Sequence, residues 1–177
     1  VSTALIVVDV QRDFLPGGAL GVDDGDQVIA PLNALVSGGG FDLVVATRDW
    51  HPPDHSSFLA QGGPWPPHCV AGTEGAQLAD RLDTGHIDLV IDKGTDADAE
   101  GYSGFESEEL RALLRTERVT AVTIGGLATD YCVLHTARDA LDEGLLVNIP
   151  RDAIRGIDAA GSHRALDELA AAGAHIT

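Results

Sequence analysis

The stretch VTAVTIGGLATDYCVLHTARDA, Val119 to Ala140, decides the fold. Its first part, Val119 to Ile124, is an apolar run of the length and composition of a buried strand. Gly125 and Gly126 end the run, the chain turns through Leu127, Ala128 and Thr129, and a helical pattern begins at Asp130. That helix shows an apolar face at Val133, Ala137, Ala140 and Leu141 and stops at Gly144. Strand, glycine turn and helix in succession form the unit from which parallel α/β sheets are built. Cys132 falls in the first helical turn. A helix N-terminus carries about half a positive charge and unpaired N–H groups, which favour a thiolate and can hold an oxyanion. Such a setting lowers a cysteine pKa from about 8.5 toward roughly 3.5–7.5. The stretch therefore reads either as a nucleophile or as a small residue packing a helix on a sheet.

The same alternation runs outward in both directions. Ala4 to Val10 reads as a buried strand, followed by the loop QRDFLPGGAL and a helical pattern over residues 24 to 37. Further strands are expected at Leu43 to Thr47, Ile87 to Ile91, Leu145 to Ile149 and Ala174 to Thr177. Helices are expected at 75 to 83, Glu106 to Arg115 and Ala159 to Ala172. The prediction is a single α/β domain over residues 1 to 177, an open parallel sheet with helices on both faces in a Rossmann-like three-layer arrangement. The loop after the first strand has neither GxGxxG nor a P-loop, which argues against dinucleotide chemistry.

The 177 residues suffice for one substantial core. Acidic residues number 28 against 11 basic, a net charge of −17. Such a surface repels phosphate backbones and anionic lipid, so neither nucleic acid nor a membrane is an expected partner. No apolar run approaches the ~20 residues that span a bilayer, and nothing resembles a signal peptide. Two cysteines, Cys69 and Cys132, are too few for a disulfide scaffold. A cytoplasmic monomer or small homo-oligomer is expected.

Two constellations carry chemistry. Asp9, Lys93 and Cys132 each follow a strand end, where open α/β sheets place their ligands. A thiol nucleophile, a carboxylate that takes and returns a proton, and an ammonium that holds both would be complementary. Lys93 is the only lysine, the other ten basic residues being arginine. A site that needs a compact ammonium would explain it, and codon bias would explain the scarcity alone. A rival dyad pairs Cys132 with His135 on one helix face. The second constellation is Asp49, His51, His55 and His68, in a long loop from about Asp49 to Gly75. Irregular loops of more than about 12–15 residues are usually functional or disordered. This one carries two tryptophans and three histidines. One carboxylate with two or three imidazoles suits a divalent ion, zinc before iron or manganese, with positions left open.

Five segments together resemble one family. VDVQRDFLPGGAL at 8 to 20, RDWHPPDHSSF at 48 to 58, GGPWPPHCVAGTEGA at 62 to 76, DKGTDADAEGYSGFE at 92 to 106 and GGLATDYCVLHTA at 125 to 137 are similar, in family order, to the nicotinamidase/pyrazinamidase family of the isochorismatase-like cysteine hydrolases. The resemblance implies a six-stranded parallel sheet and a catalytic triad of Asp9, Lys93 and Cys132. It implies a metal on Asp49, His51 and His68, with His55 a ligand in some members only. It implies a cis peptide between Leu127 and Ala128, with the Ala128 and Cys132 amides as oxyanion hole, and aromatic walls at Phe14, Trp65 and Tyr102. Tyr131 stands at a position that varies among members. The implied reaction is hydrolysis of a small-molecule amide, nicotinamide, to nicotinate and ammonia, as in NAD salvage, with pyrazinamide as a further substrate. The alternatives are a metal-free amidase or isochorismatase of the same superfamily, and a non-catalytic metal- or ligand-binding protein.

Overall fold

Leu5, Ile6, Val7 and Val8 are fully buried, and their alternation divides the protein into two cores. In the computed structural model, which describes residues 1–177, β1 is Ser2–Val8. Ala4, Ile6 and Val8 face one apolar cluster, while Leu5 and Val7 face the other. Successive strand side chains point to opposite faces, so a strand covered on both sides must be apolar throughout. The first face packs α2 (Glu108–Thr116), α3 (Leu134–Asp142) and α4 (Ala159–Ala171) through residues such as Leu110, Ala137 and Leu169. The second packs α1 (Ile29–Ser37) through Ile29, Leu32 and Val36.

The other strands are β2 (Leu43–Asp49), β3 (Leu89–Lys93), β4 (Val119–Leu127), β5 (Leu146–Ile149), β6 (Ile154–Arg155) and β7 (His175–Ile176). The sheet order is β3-β2-β1-β4-β5-β7, with the two-residue β6 beside β4. Every pairing is parallel. Six strands thus form the main path, as expected, and β6 is an addition too short to leave a periodic signal. The chain builds outward from β1 to β2 and β3, then returns to add β4 on β1's other side. That reversal puts a crevice beyond the carboxyl ends of β1 and β4, where ligands of such sheets bind.

Two expectations are corrected. No helix forms over 75 to 83. One 3-10 turn, Glu74–Ala76, is followed by irregular chain. The backbone groups there bond to the loop after β1 instead: Arg12 N donates to Gln77 O, and Ala79 N to Val10 O. Ala76, Ala79 and Leu82 are buried in the α1-side core, so packing is satisfied without a helix. The second correction concerns the start of α3. Residues Thr129–Val133 form a π turn, with Val133 N donating to Ala128 O, and regular α-helix begins at Leu134.

Candidate active site

The polar core of the protein lies beyond the carboxyl ends of β3, β2, β1 and β4. Asp9 follows β1 in a left-handed conformation (φ 50°). This turns its side chain into the crevice, where Thr47 Oγ1 donates to Oδ1 at 2.8 Å. Lys93 ends β3 directly beside Asp49 at the end of β2. Its ammonium is fully buried and lies 2.7 Å from Asp9 Oδ2. It also donates to Asp49 Oδ1 and Gly101 O, each at 2.5 Å, and to Cys132 Sγ at 3.5 Å. Three polar residues far apart in the chain are thus joined through one cation. His135 has no such role: its ring packs on Tyr102 at 5.0 Å and its Nδ1 faces Glu100.

Burial and mutual charge shift each of these groups. Burial raises the Asp9 pKa to about 6, against the opposing pull of Lys93. Burial likewise raises the Cys132 thiol well above its usual range; Lys93 counters this, while Asp9 and Asp49 add to it. Burial also pushes Asp49 up, but Lys93 and His51 outweigh it and hold its carboxyl below the usual range. Burial opposes the charge on Lys93, yet Asp49 and Asp9 keep its pKa well above the ordinary value. Burial first, and then the nearby Asp9 and Asp49 carboxylates, oppose the thiolate that a helix N-terminus and Lys93 favour. Asp9 Oδ2, with Lys93 near but no aligned hydrogen bond, can accept the thiol proton.

Asp49, His51 and His68 form the second group, with one ligand atom from each within 4.8 Å of the others. His51 Nε2 and His68 Nε2 face Asp49 Oδ2 at 3.3 and 3.8 Å. Their Nδ1 atoms bond to the carbonyls of Gly94 and Pro66, each at 2.8 Å. That arrangement puts Nδ1–H on the carbonyl and leaves Nε2 bare, as in metal-ligating histidines. One buried ammonium against two buried carboxylates leaves a negative charge, and the donor set fits a divalent cation. Burial favours neutral imidazole at His68, against the pull of Pro66 O and Asp49. Burial acts the same way on His51, but Asp49 reverses it. His55, expected as a fourth candidate, is outside this cluster. Its Nδ1 accepts from Ser57 N at 3.2 Å and its Nε2 bonds to Ala99 O at 2.8 Å. It stacks on His51 with ring centroids 3.9 Å apart.

Above these groups lies a narrow cavity. Cys132, Ala128, Asp49 and His68 reach it, and Phe14, Trp65 and Tyr102 line it. Trp65 Nε1 donates to Tyr102 Oη at 3.1 Å. Tyr131 stands between them, edge-on to Trp65 at 5.1 Å and tilted to Tyr102 at 5.5 Å. The Leu127–Ala128 peptide is cis, as the resemblance implied.

Sequence reasoning missed four residues. Leu20 and Ile157 complete the lining. Phe58 packs against all three histidine rings of the loop, at 5.4 to 5.8 Å. Gln11 is fully buried. Its Nε2 donates to Asp49 O at 2.9 Å and Ala76 O at 2.8 Å, while Oε1 accepts from Asp49 N at 2.8 Å. A glutamine two residues after the strand-end Asp9, directly after the apolar Val10, was the available signal for the last.

Comparison with known proteins bears on the same residues' surroundings. The Isochorismatase domain model matches residues 3–177. The chain is 40% identical to the nicotinamidase/pyrazinamidase of Mycobacterium tuberculosis over 98% of this chain and 97% of that protein. Among solved structures, it superposes on the pyrazinamidase of Pyrococcus horikoshii in complex with zinc with a TM-score of 0.94 and 47% identity, covering 100% and 99% of the two chains. PnC1 from L. infantum in complex with nicotinate gives a TM-score of 0.95 at 41% identity, covering 99% and 92%.

Proposed function

The chain belongs to the isochorismatase family, and from that premise we propose that it hydrolyses nicotinamide to nicotinate and ammonia through a thioester on Cys132, with pyrazinamide as a second substrate. One observation carries the reading: Lys93 ties the Cys132 thiol and the Asp9 carboxylate to Asp49, whose other oxygen faces two imidazoles at the floor of an aromatic slot. Relatives named nicotinamidase, at about 40% identity over nearly the whole chain, support the choice of substrate.

Phe14, Trp65 and Tyr102 are assigned to hold the planar ring between them, excluding water from the slot. Asp49, His51 and His68 are assigned to a divalent ion, zinc before iron or manganese, which when bound supplies a Lewis-acid anchor for the ring nitrogen. A neighbour solved with zinc supports that choice. Asp9 takes the thiol proton, and Sγ forms a bond to the carboxamide carbon as the carbonyl electron pair moves to oxygen. The backbone N–H groups of Ala128 and Cys132 are assigned to the resulting oxyanion. Asp9 then gives its proton to the amine, the C–N bond breaks and ammonia leaves. In the second half Asp9 takes a proton from water, the oxygen attacks the thioester carbon, and the C–S bond breaks with its electron pair on sulfur. Asp9 returns the proton to the thiolate. Lys93 stays charged throughout and keeps the three groups in register.

The test is ammonia release from nicotinamide by the purified protein, beside Cys132→Ala. The wild type is expected to turn over, and the variant to lose turnover while retaining its metal. More than a few per cent of wild-type release by the variant would rule out the nucleophile assignment. Full activity in metal-free protein would favour an amidase of another substrate.

A further inference from the structure

Ile157 is a large apolar residue left 40% exposed, yet it lines the same cavity as Cys132 and Phe14. It lies on the short loop between β6 and α4. Gly156 and Ile157 make no contribution to either apolar core. What holds the loop is Asp130. Its Oδ1 accepts from Ile157 N at 3.0 Å and its Oδ2 accepts from Asp158 N at 2.9 Å. A Cβ on Gly156 would collide with Ser162 Oγ and come within 3.1 Å of Asp130 Oδ1, and one on Gly161 would lie 3.0 Å from Asp158 Oδ2 and 3.2 Å from Asp130 Oδ2, so both glycines give room to the side chains packed around this loop. Asp158 continues the chain of contacts by capping α4, its Oδ2 accepting from Gly161 N at 2.6 Å. Hydrogen bonds to an ionised acceptor are stronger than neutral ones, and the amino end of α4 favours the negative charge.

Asp130 sits in the π turn two residues before Cys132. One carboxylate therefore joins the turn that carries the thiol to a separate wall of the pocket. From this geometry we infer that Asp130 is a positioning residue that sets the width of the slot, and so the selection among ring-substituted substrates, by holding Ile157 in place. The inference rests on the reading of the slot as a site for a small aromatic carboxamide. Both Asp130 oxygens are occupied by backbone donors, so its action on substrate runs through Ile157. With the clamp intact, Ile157 closes the slot against a substituent on the ring; without it, the loop and its side chain move away.

The experiment compares wild type, Asp130→Ala, Ile157→Ala and the double variant, with nicotinamide and with ring-methylated nicotinamides. Losing an apolar contact to the substrate costs about tenfold. Each single variant is therefore expected to raise KM for nicotinamide by about that factor, with a much smaller change in kcat, and to raise the relative kcat/KM for the methylated rings. The double variant is expected to be no worse than the worse single, because both remove one interaction. Asp130→Asn, which keeps one acceptor, should fall between wild type and Asp130→Ala. Effects that multiply in the double variant, or a fall in kcat at unchanged KM, would overturn the inference. Amide hydrogen exchange reads the clamp without substrate: in Asp130→Ala the Ile157 and Asp158 amides should exchange faster while those of β1 and β4 stay protected. Unchanged exchange at those two amides also overturns it. Absence of nicotinamide turnover in the wild type would instead fail the functional reading, leaving the exchange result to decide the clamp.

Discussion

Lys93 donates to two oxygens and a sulfur and lies against Asp9 Oδ2 with no access to solvent, a geometry that suits the three donors of an ammonium. A planar guanidinium presents its donors in a fixed fork and is larger, so Lys93→Arg is expected to lose most activity despite keeping the charge. Lys93→Ala would leave Asp9 and Asp49 as adjacent buried carboxylates. Breaking such a pairing costs about 3–5 kcal/mol, which a denaturant titration would show; a loss below ~1 kcal/mol would mean the ammonium is not the compensating charge. Asp9 supplies the pH dependence. The base form must accept the thiol proton, and its pKa is raised to about 6 by burial. The expected kcat/KM is flat above that value and falls tenfold per pH unit below it. Lys93, held well above its ordinary pKa by Asp49 and Asp9 against the effect of burial, adds no alkaline limb in the neutral range. A profile that stays level down to pH ~4, the ordinary carboxylate range, would remove Asp9 from the proton chemistry. These residue types at strand ends were legible in the sequence. The direction of the Cys132 shift was not, because it depends first on the burial of the thiol and then on two carboxylates brought in from the ends of β1 and β2.

At the scale of elements, the site depends on how three loops are fastened. Gln11 ties the loop after β1 to the end of β2 and to the irregular segment after Gly75. The His68 segment is fixed by His51 N donating to Cys69 O, by Ala71 N donating to His51 O, and by Cys69 N donating to Asp13 Oδ2. Gln11→Ala leaves the Asp49 N–H buried without its partner, at a cost of about 1–3 kcal/mol. It is expected to lower the unfolding midpoint and weaken metal binding together, since the backbone it releases carries Asp49. A metal affinity equal to wild type in that variant would show that the amide clamp does not position the ligand. The segment 75 to 83 explains why a periodic pattern misleads here. Its apolar residues are spaced for a helix, but its backbone donors and acceptors are taken by the loop after β1, and tertiary pairing overrides local propensity.

For the whole molecule, the excess of 17 acidic charges includes the buried Asp9 and Asp49. A cation on Asp49, His51 and His68 would be bound by the native state only. Chelation is therefore expected to lower Tm and abolish turnover, with zinc restoring both. At a free metal concentration a hundredfold above Kd, the linkage amounts to about 2.7 kcal/mol. A Tm that does not respond to metal would argue against the donor set. No helix is long and apolar enough to cross a membrane, in agreement with the hydropathy of the sequence. The sequence by itself determined the alternation of strands and helices, the two-sided burial of β1 and the residues that stand at strand ends. These follow from side-chain periodicity, which is local. The tertiary structure alone decided that β4 returns beside β1, so that Cys132 meets Asp9 and Lys93. It also decided which imidazoles face Asp49. His51 and His68 turn Nε2 inward because Gly94 O and Pro66 O take the other nitrogen, while Ala99 O and Ser57 N occupy both nitrogens of His55. The ring that becomes available is set by the carbonyl that happens to lie behind it, and for His51 and His55 that carbonyl comes from a distant part of the chain.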